Sequence, residues 1–270
     1  PLAPGVAKLL DARAAIGARL GGADGGALGA VEAVGALLEE LSAGGQKRQP
    51  KVAKGTRDYL LYLPLYNGVT TASLGVPAGA SLAAMPNRAE RAVIFYGTSI
   101  TQGGCASRPG TCHPAILGRM LDRPVLNLGF SGNGKMEGEV AELLAELDPA
   151  LYVIDCLPNT TADEVAQRVP ELVRILRASR PNTPILLVED RTYSDAFLHQ
   201  DRAERNRSSR AALRQAYGAL QDINELHYMA GEQLLGADGD DTVDGSHPTD
   251  LGFKRHAEAF YPILHKLLTA

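Results

Sequence analysis

The stretch VIFYGTSITQGG, Val93 to Gly104, decides how the rest of the chain is read. Apolar residues suited to a buried strand run straight into Gly97, Thr98 and Ser99, so the strand ends in a turn that carries a hydroxyl. Parallel strands covered on both faces are short, continuous apolar runs of this kind. AVIFY (92–96) is the first, and PVLNL (124–128), LYVID (151–155), PILLVE (184–189) and ELHYM (225–229) repeat the pattern. Amphipathic segments fill the gaps and predict helices over 113–122, 136–147, 161–179, 203–221 and 250–268, the third kinked at Pro170. Strands alternating with helices are βαβ units with right-handed crossovers. The expected fold is α/β: a three-layer α/β/α sandwich around a five-stranded parallel sheet in flavodoxin-like order.

Upstream the pattern breaks. Residues 1–50 are rich in Ala, Gly and Leu, with one helical spacing over Leu28 to Leu41 that glycines interrupt. Residues 51–88 open as a basic linker. YLLYLPLYNGV then reads as a hairpin over about 57–77, with Asn67-Gly68 as its turn and Pro64 at an edge or bulge. The division is therefore 1–50, an atypical segment; 51–88, a hairpin and linker; and 89–270, an α/β domain.

Composition excludes several classes. The 270 residues are 45% hydrophobic and 21% charged, with net charge -4, which disfavours a nucleic-acid or anionic-membrane surface. No apolar run approaches the ~20 residues that span a bilayer. The cysteines, Cys105, Cys112 and Cys156, have no metal-site spacing. A Cys105–Cys112 bridge across the Gly/Pro loop is conceivable; free thiols are the preferred reading. The chain starts at Pro1 without a signal-peptide charge pattern, as expected of a trimmed chain, so its compartment stays open between cytoplasm and exterior.

Ligands of open parallel sheets bind beyond the carboxyl ends of the strands. Those ends lead into GTSITQGG, GFSGNGKME, CLPNTT and DRTYSD, and DDTVDGSHPTD precedes the last helix. In DGSHP, Asp244 lies three residues before His247, a spacing that lets the carboxylate meet the imidazole Nδ1–H and leaves Nε2 to accept a proton. Alone, this is an Asx turn before a helix that Thr249 caps. A serine hydroxyl attacks only when a base takes its proton, and Ser99 alone is a polar turn residue. Its setting is neither a G-x-S-x-G elbow, because Thr101 holds the second glycine position, nor a P-loop. The glycines of NLGFSGNG either make a plain β-to-α turn or offer N–H groups to an anion. Asn159 either caps the next helix, as Thr160 would, or donates its amide to an oxyanion. On one sheet edge these residues supply a nucleophile, a base, an orienting carboxylate and oxyanion donors, which is the requirement for acyl transfer.

With these residues in order, the chain resembles the SGNH hydrolase, or GDSL-like esterase, superfamily over about residues 91–270. Ser99 matches the nucleophile block, with Gly97-Thr98-Ser99-Ile100 in place of Gly-Asp-Ser-Leu. Gly132 and Asn159 match the second- and third-block oxyanion residues, although Leu157-Pro158-Asn159-Thr160 replaces the usual Gly-x-Asn-Asp. Asp244 and His247 match the last-block DxxH. YLLYLPLYNGV ahead of the serine block is similar to a subgroup with a small N-terminal β-sandwich, and 51–88 would be its remnant. The resemblance implies a serine esterase with Ser99, Asp244 and His247 as catalytic triad. Ser99, Gly132 and Asn159 would form its oxyanion hole. It implies no cofactor or metal, and a small-molecule or carbohydrate ester as substrate, with short-chain acyl groups, acetyl on carbohydrate among them. The alternatives are an acyltransferase using the same acyl-enzyme and a non-catalytic carbohydrate-binding relic. Oligomeric state is left open.

Three further features are read as structural. DGDDTVDG lacks the glutamate of a calcium loop and is taken as solvated. DRAERNRSSR is the wet face of a helix. Glu189 and Asp190 either line a cleft or pair with Arg191, and the pairing is preferred.

Overall fold

The computed structural model describes residues 58–75, 79–86 and 88–269, which fall in two compact units divided between residues 87 and 88. In the larger unit, five strands form one parallel sheet: β1 (Val93–Gly97), β2 (Val125–Gly129), β3 (Leu151–Asp155), β4 (Ile185–Val188) and β5 (Leu226–Met229). Their order is β2-β1-β3-β4-β5. Each expected strand is present, shifted by at most one residue at either end. β1 lies between β2 and β3 and registers Gly97 against Gly129 of β2 and Asp155 of β3.

Among the described residues six α-helices accompany the strands, five between strands and the sixth after β5: α1 (Ser99–Gln102), α2 (His113–Met120), α3 (Gly138–Ala145), α4 (Ala162–Ser179), α5 (Gln200–Gly218) and α6 (Asp250–Thr269). α2 packs with α6, while α3, α4 and α5 pack in a row. Successive strand residues point to opposite faces. Val93, Phe95, Leu151, Val153, Leu186 and Val188 form one core with Leu117 of α2 and Ala257, Phe260 and Leu264 of α6. The alternate residues, Ile94, Tyr96, Tyr152, Ile154, Ile185 and Leu187, are equally buried. They serve the other layer, where the Tyr152 hydroxyl donates to Leu144 O of α3. Burying such side chains contributes ~1.5–3 kcal/mol each, which explains why these runs were readable as strands.

Pro170 lies inside α4 without ending it. Its N-cap is Thr161, in a reciprocal capping box with Glu164, so neither Asn159 nor Thr160 has that task. Among the described residues no helix is long and apolar enough to cross a membrane. All three cysteines are free, Cys105 exposed and the other two buried, so the Cys105–Cys112 bridge does not form.

The smaller unit departs from expectation. None of its described residues is in a strand, and Tyr59, Leu60, Leu61 and Leu63 are exposed. The Asn67-Gly68 hairpin is therefore absent from the described part of 57–77. A two-stranded ribbon is marginal unless a third element covers it, and Pro64 removes one ladder donor from its first arm. The segment 1–50, with its helix over 28–41, lies outside the described residues.

Candidate active site

The β1 turn is more ordered than a loop. Ser99 begins a single helical turn. Thr98 caps it by accepting from Ile100 N at 3.3 Å, and Gly103, at φ 104°, closes it. This turn lies directly on the ends of β1 and β2. A methyl on Gly129 would fall 2.1 Å from Gln102 N, and one on Gly97 would fall 2.1 Å from Thr101 Oγ1. Glycine at both strand ends is what lets α1 settle there. Asn127 Nδ2 donates to Thr101 O at 2.8 Å, and the Gln102 side chain accepts from Ser131 N at 2.9 Å. The serine turn and the β2 loop are thereby joined.

Ser99 Oγ lies 2.9 Å from His247 Nε2, and His247 Nδ1 lies 2.7 Å from Asp244 Oδ2. The other oxygen of Asp244 accepts from Ser246 N at 2.9 Å and His247 N at 2.7 Å. Partial burial pushes this carboxyl up, but the hydrogen bonds from His247 and Ser246 outweigh it and bring it down to about 2, so it is ionised at neutral pH. Thr249 Oγ1 accepts from Gly252 N at 3.2 Å in the first turn of α6.

Gly132 sits in the β2 loop at φ +70°, a conformation that favours glycine. Asn159 lies in the one-turn 3-10 helix Leu157–Asn159. Its Nδ2 donates to Asn133 O, next to Gly132, and an amide carries a second N–H. Arg205 of α5 fixes the turn by donating to Pro158 O at 2.8 Å and Thr160 O at 3.1 Å. His247 thus contacts both Ser99 and Asp244, while Asn159 is bonded to Asn133 of the loop that carries Gly132, and Ser131 of that loop is bonded to Gln102 of the serine turn.

Other residues took places that spacing could not foretell. Asp155, at the end of β3, accepts from Thr101 Oγ1 at 2.9 Å. Burial raises its carboxyl to about 7 against that bond. His113 Nε2 lies 3.9 Å from it, and the rings of His113 and His256 are 5.2 Å apart. Burial pushes both imidazoles down, His256 to about 3, so both are neutral. Asp190 pairs with Arg191 as expected, but Glu189 pairs with Arg214 at 2.8 Å. Asp238 and Asp241 of the DGDDTVDG loop hold Arg255. Among the described residues no cluster of three or more His, Cys, Asp or Glu could hold a metal ion. A groove lined by Tyr228, Met229, Glu232 and Pro262 shares no residue with the Ser99 cluster.

The fold and this cluster place the chain in one class. Residues 90–265 match the GDSL-like lipase/acylhydrolase family, and the chain belongs to it. A GDSL-like lipase from Bacteroides ovatus is 37% identical, with a TM-score of 0.74; the match covers 77% of this chain and 62% of that one. The chain thus spans about three fifths of that lipase. Two more distant structures share the fold. A salicylyl-acyltransferase from a tetracycline biosynthetic pathway is 20% identical, with a TM-score of 0.59, over 67% of this chain and 56% of that one. A family two carbohydrate esterase from Clostridium thermocellum, in complex with cellohexaose, is 16% identical, with a TM-score of 0.54, over 70% and 68%. No curated protein matches.

Proposed function

We propose that the chain is a serine esterase that cleaves short acyl esters, acetyl esters of carbohydrate among them, through an acyl-enzyme on Ser99. The reading rests above all on the contacts Ser99 Oγ to His247 Nε2 at 2.9 Å and His247 Nδ1 to Asp244 at 2.7 Å. With its Nδ1 proton donated to Asp244, His247 accepts the serine proton at Nε2 as Ser99 Oγ bonds to the ester carbonyl carbon. Asp244 stays ionised and stabilises the imidazolium. The carbonyl oxygen becomes an oxyanion, received by the N–H groups of Ser99 and Gly132 and the Asn159 amide. His247 returns the proton to the leaving alcohol as the C–O bond breaks. Water then attacks the acyl-enzyme with His247 again as base, freeing the acid and Ser99.

The substrate class comes from the family resemblance. A panel of p-nitrophenyl esters of increasing chain length, followed by acetylated sugars, tests it, with the shortest acyl groups expected to turn over fastest. Adding a sugar or alcohol acceptor separates hydrolysis from acyl transfer in the products. Ser99→Ala should abolish turnover and fluorophosphonate labelling while leaving thermal unfolding unchanged. Retention of near-wild-type turnover by Ser99→Ala would refute the mechanism.

A further inference from the structure

The loop carrying Asp244 and His247 is gripped along its backbone by one other segment. Its three consecutive carbonyls each accept a hydrogen bond. Asp244 O accepts from Arg202 Nη1 at 3.1 Å, Gly245 O from Ser194 N at 3.1 Å and Ser246 O from Arg191 Nε at 3.1 Å. All three donors lie between the end of β4 and the first turn of α5.

Arg191 is the buried member of this grip, only 1% exposed. A guanidinium taken out of water is costly unless its donors are used. Here Nη1 meets Asp190 Oδ1, Nη2 meets Ser246 Oγ, and Nε meets Ser246 O. The guanidinium carbon also lies 4.0 Å from the centre of the Tyr193 ring. Asp190 is itself anchored to α5, since Arg210 donates twice to its carbonyl, at 3.0 and 2.8 Å. A rigid run of contacts therefore leads from α5 through Asp190 and Arg191 to Ser246, the residue that joins the Asp244 turn to His247.

We propose that Arg191 is a positioning residue. Its planar fork fixes Ser246 and thereby holds the His247 imidazole within hydrogen-bond distance of Ser99. The consequence for rate rests on the serine-esterase reading; the consequence for the Asp244–His247 contact does not. A lysine keeps the charge opposite Asp190, but one ammonium cannot reproduce a fork spread over Ser246 O, Ser246 Oγ and Asp190.

The test is Arg191→Lys in the full chain. Displacing a catalytic group by about an ångström costs up to ~10²-fold, so kcat should fall roughly 10- to 100-fold while KM stays within about threefold. The low-field proton resonance of His247 Nδ1–H should shift or broaden. Ser246→Ala removes only the Oγ acceptor and should lower kcat by roughly two- to tenfold. The two substitutions together should cost less than the product of their separate effects, because they break the same contact. A folded Arg191→Lys protein with unchanged kcat and an unchanged His247 signal overturns the proposal, as do effects that multiply fully. Should Arg191→Lys fail to fold, Ser246→Ala decides by itself: a shifted His247 signal supports the proposal and an unchanged one overturns it. If the wild type proves to have no esterase turnover, the esterase reading fails, and the His247 signal of the variants still decides the role of Arg191.

Discussion

Gly129→Ala should cost catalysis as well as stability, although residue 129 touches no substrate in the proposed mechanism. The added methyl would lie 2.1 Å from Gln102 N, 2.4 Å from Gln102 Cα and 2.7 Å from Thr101 C, all backbone atoms of α1. No rotamer change relieves a backbone contact. Reaching ordinary contact near 3.4 Å requires α1 to retreat by about 1.3 Å from β2. Ser99 travels with α1, because the turn is one hydrogen-bonded unit closed by Gly103. His247 does not follow, because its loop is held by the segment between β4 and α5. The 2.9 Å contact from Ser99 Oγ to His247 Nε2 is then lost. A displacement of about 1 Å at a reacting group costs ~10²-fold in rate, or about 2.7 kcal/mol of barrier. The overpacking itself costs ~1–3 kcal/mol, which lowers Tm by roughly 2–12 °C in a domain of this size. Steady-state hydrolysis of the best p-nitrophenyl ester, the rate of fluorophosphonate labelling and a thermal melt measure the three quantities. Gly218→Ala, whose methyl enters open space, is the control. A folded Gly129→Ala protein with kcat and labelling rate within about threefold of wild type would refute the reasoning, since α1 would then have room to spare.

Two further outcomes are expected. In the proposed mechanism Asn159→Ala removes one oxyanion donor and should lower kcat by ~10²–10³-fold; a loss below about fivefold in kinetic assays would refute that role for Asn159. Asp155→Asn tests the buried carboxyl beneath α1. Burial raises its folded pKa to about 7 from an ordinary 3.8, so the folded wild type holds one more proton than the unfolded chain between about pH 4 and pH 7, and the stability fully present below pH 4 is lost as pH rises through 7. The stability of Asp155→Asn relative to wild type should therefore grow between pH 4 and pH 8, by a few kcal/mol at most and on the order of 1.4 kcal/mol per pKa unit. Urea unfolding across that range measures it, and a flat difference would mean that Asp155 is not raised.

The sheet was legible because its chemistry is local. Val93 to Tyr96 and Leu151 to Ile154 are buried on both faces, so each run is apolar throughout; with the alanine before it, the first lies between Arg91 and Gly97 and the second between Pro149 and Asp155. Ser99, Asp244 and His247 stood out because each belongs to a short spacing at a strand end or before a helix. α1 was hidden because Ser99 to Gln102 is too short for any apolar periodicity; the usable signals were the Thr98 cap and Gly103. Arg191 was read only as a partner for Glu189 or Asp190, because its contact with Ser246 spans 55 residues. His113, His256 and Asp155 come from three distant elements, and nothing in their spacing marks them as a cluster. The hairpin expected over 57–77 is absent among the described residues for the opposite reason. Its local turn signal was strong, but a ribbon needs a covering element that local sequence cannot supply.

The two edges of the sheet differ in freedom. Ser99, the Gly132 loop, Asn159, Arg191 and the Asp244–His247 loop all belong to the edge where the strands end. Among the described residues the opposite edge receives the connections into the strands, such as Pro181 and Asn182 ahead of β4, both exposed. A circular permutation that opens the chain between those two residues leaves every one of these groups on an uncut segment. In such a permutant the order of elements along the chain changes, while the groups of the proposed mechanism stay on the segments that carry them.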